Sequence, residues 1–438
     1  MTVSKLQETA DFVVAYALER GATDCDVAIS STTEVETGVR MGAMEKFQAS
    51  DSRGMRIRIF VGKRSTTTNT TNFTRASLRK AIRETIALAK ASEPDEEAGL
   101  PDAQHFATDL PDLGLADADH GKLTNEERLN LAIATEAAAR AHDLISNSEG
   151  ASFADDSSVY VYANSRGFSG GYASTAYQMV ASVVAGEGDK MRVGFDYCVA
   201  RSKDKLDSPQ KVGDGAAQRA IEQLGPRKVK SQTVPVVFSR RMAARLLGQF
   251  VSAASGSHVY RESSFMVGLL GQQIASDKIT VVDDGHIPGA IGSKPFDKEG
   301  LPTTKRVIID KGELACYLID AYAGRKLGVA PNGGSTSNLY IENGDHSFEE
   351  IIASVENGLY LLSVSGPGFN VVNGNYSMGA SGIWIENGKL AYPVAEITVA
   401  GNILEMFKAI EMVGNDLAFD SSVVSPTLKI GQMSIAGS

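Results

Sequence analysis

The residues that most often bind metals are few in this chain and lie far apart. The sequence has six histidines and three cysteines, at positions 105, 120, 142, 258, 286 and 346 and at positions 25, 198 and 316. No two histidines lie within five residues of each other, whereas zinc sites usually take several ligands from one short segment. The spacing therefore predicts no zinc site, although a site assembled from distant residues stays open.

The serine and glycine patterns do not match a nucleophilic or phosphate-binding site either. Hydrolases with a nucleophilic serine often carry Gly-x-Ser-x-Gly between a strand and a helix, whereas GASG (379–382) is one residue short and lies among strand signals. The loop GVAPNGGSTSN (328–338) lacks the lysine and the following helix of a phosphate loop. We therefore expect neither kind of site.

Side chains with binding chemistry are concentrated in SGSHVYRESSFM (255–266). In a loop, His258, Tyr260 and Arg261 could contact a partner protein or line a peptide channel, since binding residues are often found on loops. The alternative is a solvated loop that follows a helix and has ordinary turn chemistry. The residues alone leave both interpretations open.

The segment FNVVNGNYSMGASGIWIENGKLAYPVAEITVAGN (369–402) predicts strands joined by tight turns. Asn373-Gly374 and Asn387-Gly388 are two-residue turn signals, because Asn and Gly tolerate the positive φ that such turns need. Pro393 cannot donate a backbone hydrogen bond, so we expect it at a sheet edge or a bulge.

Within this segment, residues 376–383 are rich in glycine and form a candidate strand edge. An extended peptide can pair with such an edge through main-chain hydrogen bonds that do not depend on its sequence. Ser381 and Gly382 are therefore candidate peptide-contact residues.

The elements that must position these residues form an α+β chain: two small α/β modules followed by a large β-rich domain. Residues 1–105 read as an α-β-β-β-α module, and residues 122–225 as a helix, several strands and a second helix. Thr124 and Glu127 form a capping-box pattern that opens the first of these two helices. Residues 229–438 read as mostly strands and glycine-rich loops.

Two further patterns concern the strands and loops of the first two modules. Between residues 26 and 60 the alternation predicts several separate short strands, VAIS, TEVETGVRM, KFQAS and MRIRIFVG. Residues 92–121 are rich in Asp and Pro and predict a long loop or interdomain linker.

The composition argues against several classes of protein. The chain has 438 residues, 43% of them hydrophobic, which is enough for a sizeable core. The formal net charge is −10 and the basic residues are dispersed, so we expect no nucleic-acid-binding face. We expect no membrane span, because no apolar run approaches ~20 residues, and the acidic N-terminus is not a signal peptide. Three scattered cysteines favour a reducing compartment, and we expect a cytoplasmic protein.

Several blocks of the sequence, taken in order, resemble the TldD/PmbA family, also described as modulators of DNA gyrase, and its PmbA (TldE) branch more than its TldD branch. Besides residues 369–402, these blocks are GMRIRIFVGKRSTTTNT (54–70), HVYRESSFMVGLLGQQI (258–274), SKPFDKEGLPT (293–303), LIDAYAGRKLG (318–328) and TSNLYIENGD (336–345). The resemblance implies intracellular zinc peptidases of the TldD type that pair with PmbA-type chains as heterodimers. It also implies an enclosed site that admits unfolded or extended peptides, and it supports a contact role for His258, Tyr260 and Arg261 while the solvated loop remains the alternative.

The catalytic motif of the resembled family is not present in this chain. TldD-type members hold zinc with HExxxH on a helix and with a later cysteine. Over the helix RRMAARLLGQFVSAASG (240–256), that motif would place Gly248, Gln249 and Ala253 where His, Glu and His stand, and SVSGPGF (363–369) has no cysteine. None of these groups can bind zinc or act as a base. The resemblance therefore implies no catalytic residue and no zinc in this chain, with the zinc held by a TldD-type partner.

Three hypotheses of function follow. The first is a non-catalytic PmbA/TldE-like subunit of a zinc peptidase that acts on unfolded or extended peptides and forms a heterodimer with a TldD-type chain. The second is a stand-alone homodimer that binds peptides or a small ligand and has lost proteolysis. The third is a hydrolase with a rearranged site, which the missing ligands disfavour.

Overall fold

A single antiparallel sheet of six strands forms the N-terminal half of the molecule. The computed structural model describes residues 1–437, and the strands of this sheet are β1 (Asp24–Arg40), β2 (Ala43–Val61), β3 (Arg64–Thr70), β4 (Ile145–Asn164), β5 (Ser169–Ala185) and β6 (Arg192–Ala200). They lie side by side in the order β3-β2-β1-β4-β5-β6. Because β1 pairs with β4 from Asp26 opposite Asn164 to Val39 opposite Ala151, the two small modules share one sheet.

Four helices pack on this sheet and close two apolar cores. They are α1 (Val3–Glu19), α2 (Arg75–Ala91), α3 (Asn125–Arg140) and α4 (Pro209–Ile221). α1 and α2 bury Leu, Ile and Val side chains against β1 and β2, while α3 and α4 bury alanine-rich faces against β4, β5 and β6. The Thr124 side chain accepts a hydrogen bond from Glu127 N, and the Glu127 side chain accepts one from Thr124 N, which confirms the predicted capping box.

The segment 92–121 is irregular, as predicted, apart from one short 3-10 turn. It also ties the N-terminal sheet to the C-terminal domain. Leu113 O accepts a hydrogen bond from Gly289 N at 2.8 Å, and Leu115 O accepts one from Thr175 N at 2.9 Å. Because both leucine side chains are buried, this segment is part of the packed structure.

The C-terminal domain is rich in strands and contains two sheets. Its strands are β7 (Gln232–Phe238), β8 (Val281–Asp284), β9 (Arg306–Asp310), β10 (Glu313–Leu314), β11 (Asn338–Ile341), β12 (Asn357–Ser365), β13 (Asn375–Glu386), β14 (Lys389–Asn402), β15 (Ile410–Val413), β16 (Val423–Val424) and β17 (Leu428–Ala436). Its helices are α5 (Arg240–Ser252), α6 (Gly256–Tyr260), α7 (Ala321–Leu327), α8 (Phe348–Ala353) and α9 (Ile403–Lys408).

The two C-terminal sheets meet at α5. One sheet has the order β10-β9-β8-β11-β16. The other has the order β14-β13-β12-β7-β17-β15, and it closes on itself because β14 also pairs with β17. α5 contacts strands of both sheets and lies in the largest apolar core, so the α+β class and the β-rich C-terminal part are confirmed. No helix within residues 1–437 has both the length and the apolar character needed to cross a bilayer.

The turn predictions in 369–402 have different outcomes. Asn387 and Gly388, with φ of 53° and 71°, join β13 directly to β14, which confirms that hairpin. The prediction of a two-residue turn at Asn373-Gly374 is wrong, because the strands before and after it are separated by the longer stretch 366–374. The local turn there closes through a hydrogen bond from Gly374 N to Asn370 O at 2.8 Å. Pro393 lies between two register shifts of the β13–β14 pair, as its missing donor predicted.

Candidate functional site

α5 begins directly after β7 and turns two different faces to its surroundings. Its buried side chains recur at the spacing of one helical face and consist of Ala243, Leu246, Leu247, Phe250 and Val251. The other face carries Arg241, Arg245 and Gly248, which line an open groove on the surface. The apolar face thus fixes the helix in the core, and the basic face lines the groove.

The positions at which the family motif would fall offer no ligand set for zinc. Gly248 has no side chain, and Ala253 is fully buried at the C-cap of α5. Gln249 carries a neutral amide whose buried Oε1 has no hydrogen-bond partner, and an amide cannot act as a general base. Among the side chains that the structure describes, no group of three or more His, Cys, Asp or Glu residues has an arrangement suited to a metal ion. The residues present therefore do not fit the family's metal.

The structure brings the two segments of the absent motif together. Ser363 and Val364, in the stretch that lacks the cysteine, lie at the end of β12 beside α5. Arg245 Nη1 donates a hydrogen bond to Val364 O at 3.1 Å. The helix segment and the strand segment therefore line one groove, although more than a hundred residues separate them in the chain.

The groove lies where the central part of the chain meets the C-terminal domain. We call it the arginine groove and define it by two adjoining cavities that share Phe195, Arg241 and Arg245. One cavity, of about 380 Å³, is bordered by α5, Tyr197 and residues 420–425. The other, of about 300 Å³, extends between β6 and the end of β12 and includes Arg219 of α4.

The electrostatics of the arginine groove are dominated by arginine. Asp196 accepts a hydrogen bond from Arg241 Nη2 and forms an ion pair with Arg219 at 3.5 Å. Arg240 forms an ion pair with Asp420 at 3.0 Å. Burial, followed by the like charge of Arg241, lowers the pKa of Arg219. The groove thus has two carboxylates, Asp196 and Asp420, and four arginines, which are Arg219, Arg240, Arg241 and the exposed Arg245. It is therefore positively charged.

The predicted contact residues 258–261 lie elsewhere, beside α7. Tyr260 packs edge-on against Tyr322, with ring centroids 5.7 Å apart. Arg261 Nε donates a hydrogen bond to Tyr260 Oη at 3.0 Å, and His258 Nδ1 lies 3.3 Å from Ser263 Oγ. These residues do not belong to the arginine groove, and their role in contacting a peptide or partner stays a prediction.

The prediction that 376–383 is a free strand edge is wrong. β13 lies between β12 and β14, and it is paired with both. Ser381 lies opposite Ser363, and Gly382 lies opposite Leu361 on one side and Val394 on the other. At Gly382 the carbonyl oxygen of Tyr360 occupies the space that a Cβ would need, so this glycine serves close packing of the backbone.

Sequence reasoning missed the arginines of the groove. Arg241 and Arg245 are four residues apart on a predicted helix, and this spacing alone indicates a shared basic face. Arg219 and Phe195 belong to another part of the chain, and only the tertiary structure brings them to α5.

Comparison with known proteins assigns the fold to a class of metallopeptidases. Family models match in chain order: PmbA/TldA metallopeptidase domain 1 over residues 25–89, the central domain over 119–224 and the C-terminal domain over 231–437. The chain therefore has the three-part architecture of these metallopeptidases. It belongs to the PmbA/TldD family.

Two relatives match along nearly the whole chain. The metalloprotease PmbA homolog of Haemophilus influenzae is 34% identical over 440 residues, which cover 99% of this chain and 96% of the relative. Metalloprotease PmbA of Escherichia coli is 34% identical over 427 residues, covering 97% of this chain and 94% of the relative.

Solved structures have the same fold. A crystal structure from Bacteroides thetaiotaomicron, described as a modulator of DNA gyrase, has a TM-score of 0.94 at 30% identity and covers 98% of both chains. TldE from Thermococcus kodakarensis has a TM-score of 0.88 at 22% identity, covering 98% of this chain and 100% of that one. The second comparison is evidence of the shared fold alone.

Proposed function

We propose that this chain is a non-catalytic, PmbA/TldE-like subunit of a TldD/TldE-type zinc peptidase that degrades unfolded or extended peptides. The observation that carries this proposal is the chemistry of α5, which presents Gly248, Gln249 and Ala253 at the motif positions. A glycine, an amide and a buried methyl group supply neither zinc ligands nor a base. A TldD-type partner would supply the metal, the base and the attacking water.

In such a heterodimer this chain completes the peptide site. Its arginine groove contains Gly248 from the helix segment of the absent motif and Ser363 and Val364 from the strand segment, and we propose that a catalytic relative would hold its substrate at this place. A peptide held there would be positioned without being cut by this chain. The cysteines are free, and we place the complex in the reducing cytoplasm.

The alternative is a stand-alone homodimer that binds peptides. Its support is that the missing zinc chemistry of α5 removes proteolysis but leaves a groove lined by Phe195, Arg241 and Arg245. In that case peptide binding would persist in the absence of any peptidase.

A mixing experiment separates the two functions. The purified chain is combined with a TldD-type chain from the same organism, the masses of the assemblies are measured by native mass spectrometry, and cleavage of an unfolded peptide is followed. We expect a one-to-one heterodimer, with cleavage that is slow for the TldD-type chain alone and faster in the mixture. A persistent homodimer of this chain, with no effect on cleavage, would contradict the proposal and favour the alternative.

A further inference from the structure

Two strand edges border the arginine groove. β6 is the last strand of the N-terminal sheet, and within residues 1–437 it pairs with β5 alone. On the opposite wall, the pairing of β12 with β7 ends at Leu361, so Leu362 to Val364 have β13 on one side only. An extended chain can form main-chain hydrogen bonds with edges of this kind.

Side chains currently contact carbonyl groups along both edges. Gln223 Nε2 donates a hydrogen bond to Val193 O at 3.3 Å on the β6 side. Arg245 Nη1 donates one to Val364 O at 3.1 Å on the β12 side. Both contacts use long side chains at the surface, which a peptide backbone can displace at small cost.

Part of the groove wall is apolar and could contact an apolar peptide side chain. Val193 and Phe195 are 47% and 54% exposed, although both are large hydrophobic residues. They point from the free strand β6 into the space between the two edges. Tyr197 lies beside them with the Arg241 guanidinium 4.5 Å from its ring centroid, so the basic and the aromatic surfaces adjoin.

The charge of the groove identifies the chemical group that it would bind. Arg245 has no carboxylate partner within the described chain, and Arg219 and Arg241 share one carboxylate, Asp196. Arginine binds carboxylates with two parallel hydrogen bonds, so an unneutralised arginine at the mouth of a peptide-sized cleft favours a carboxylate ligand.

We propose that the arginine groove binds an extended peptide alongside β6 and holds a carboxylate of that peptide with Arg245 and the neighbouring Arg219 and Arg241. The carboxylate is either the C-terminal group or an acidic side chain. This inference rests on the proposed function for the extended form of the ligand. It goes further by giving this chain a preference for anionic peptides.

Binding of short fluorescent peptides to the isolated chain, followed by anisotropy, tests the inference. One peptide has a free C-terminus and no charged side chains, a second is its C-terminal amide, and a third is the amide with one internal glutamate. We expect the free acid to bind about tenfold more tightly than the neutral amide at low salt, with this difference shrinking as salt is added. Tight binding of the third peptide would assign the site to any carboxylate, and weak binding would assign it to the C-terminus.

Variants of single arginines provide the second arm of the experiment. Arg245→Gln should remove most of the difference between acid and amide, and Arg245→Lys should keep part of it. Arg140→Gln, at an exposed position in the last turn of α3, is the matched control and should bind like the wild type. Circular dichroism of each variant verifies that it is folded, and the comparison of acid with amide on the wild-type chain does not depend on any variant.

Three results would overturn the inference: no binding of the free acid, equal affinity for acid and neutral amide, or an equal loss of both affinities in Arg245→Gln. Because the assay uses this chain without a partner and measures no cleavage, its result is separate from that of the mixing experiment. If the chain prefers carboxylates but cleavage does not depend on the partner, the binding role of the groove stands and the proposed subunit role is refuted. If cleavage depends on the partner but the chain shows no carboxylate preference, the subunit role stands and the binding role is refuted.

Discussion

Gly194 and Gly248 both border the arginine groove, but they differ in the space that surrounds them. At Gly194, on β6, the backbone of Ala216 and Ala220 in α4 occupies the position of a Cβ. At Gly248 a Cβ would lie 3.8 Å from Val423 Cγ1, which is an ordinary contact. The first glycine is thus required by close packing of helix on strand, and the second is not.

This difference predicts opposite effects of the same substitution. Gly194→Ala should lower the free energy of unfolding by about 1–3 kcal/mol, because the added methyl group must push α4 away from β6. Gly248→Ala, its matched control, should raise that free energy by about 0.5–1 kcal/mol, because alanine is the better helix former. Urea unfolding of both variants measures the two changes, and a stabilised Gly194→Ala variant would show that the α4–β6 approach is not tight.

The sequence could predict part of the site at the scale of residues. The positions of Gly248, Gln249 and Ala253 followed from a motif laid over one helix, which needs only local information. The groove needs Arg219 and Phe195 from the central part of the chain, and no local pattern connects them with α5. The pairing of β13 with β14 followed from the Asn387-Gly388 turn, but the pairing of β13 with β12 spans the longer stretch 366–374, which is not a tight turn.

At the scale of elements, the helices agree well with the sequence while the strands are longer than predicted. The separate strands expected between residues 26 and 60 are two continuous strands, β1 and β2, of 17 and 19 residues. Polar and small residues interrupt the apolar alternation there, but pairing with neighbouring strands keeps the backbone extended. Local pattern detects buried faces, whereas strand length here depends on long-range pairing.

The capping box of α3 allows a prediction for one element. Thr124→Ala removes the acceptor for Glu127 N and should lower the free energy of unfolding by about 1 kcal/mol. Thr67→Ala, at an exposed position on β3, is the control and should change it by less than about 0.5 kcal/mol. Chemical denaturation of both variants gives the comparison; equal values would mean that the cap does not stabilise the helix in the folded chain.

At the scale of the whole molecule, the loop 293–303 connects the C-terminal domain to the N-terminal sheet. Phe296 packs against Phe168 and Tyr172, with ring centroids 5.0 and 5.6 Å away. Next to it, buried Asp297 accepts hydrogen bonds from the backbone of Glu299 and Leu301 through Oδ1, while Oδ2 has no partner. This interface therefore contains a buried carboxylate that is only partly satisfied.

The environment of Asp297 predicts how stability depends on pH. Burial raises the pKa of Asp297, although backbone hydrogen bonds and Lys294 and Lys298 oppose the shift in part. The folded chain therefore holds this proton at pH values where the unfolded chain has lost it, so the contribution of Asp297 to stability falls as pH rises through that window. Asp297→Asn has no proton to lose, and its stability relative to the wild type should increase with pH.

Unfolding in urea at several pH values from about 4 to 8 measures this slope. Asp51→Asn, at an exposed position on β2, is the matched control and should follow the wild type. If the free energies of unfolding of Asp297→Asn and the wild type differ by the same amount at every pH in this range, the raised pKa of Asp297 is contradicted.

The pairing of the first two modules into one sheet is the whole-molecule feature that the sequence did not predict. Each module has its own helices and strands with clear periodicity, which is why the sequence indicates two units. The register of β1 against β4 joins residues more than a hundred positions apart, and such pairing leaves no local trace. The arginine groove is bordered by β6 of this shared sheet and by α5 and β12 of the C-terminal domain.

Zinc content is the most direct test of the central claim that this chain is a supporting subunit. The chain is purified without chelators, its zinc is quantified by elemental analysis, and cleavage of an unfolded peptide is measured for the chain alone. We predict no stoichiometric zinc and no cleavage until a TldD-type chain is added. One zinc per chain together with cleavage by this chain alone would contradict the account, and the ligands would then have to be sought among His258, His286, His346 and the acidic residues near them.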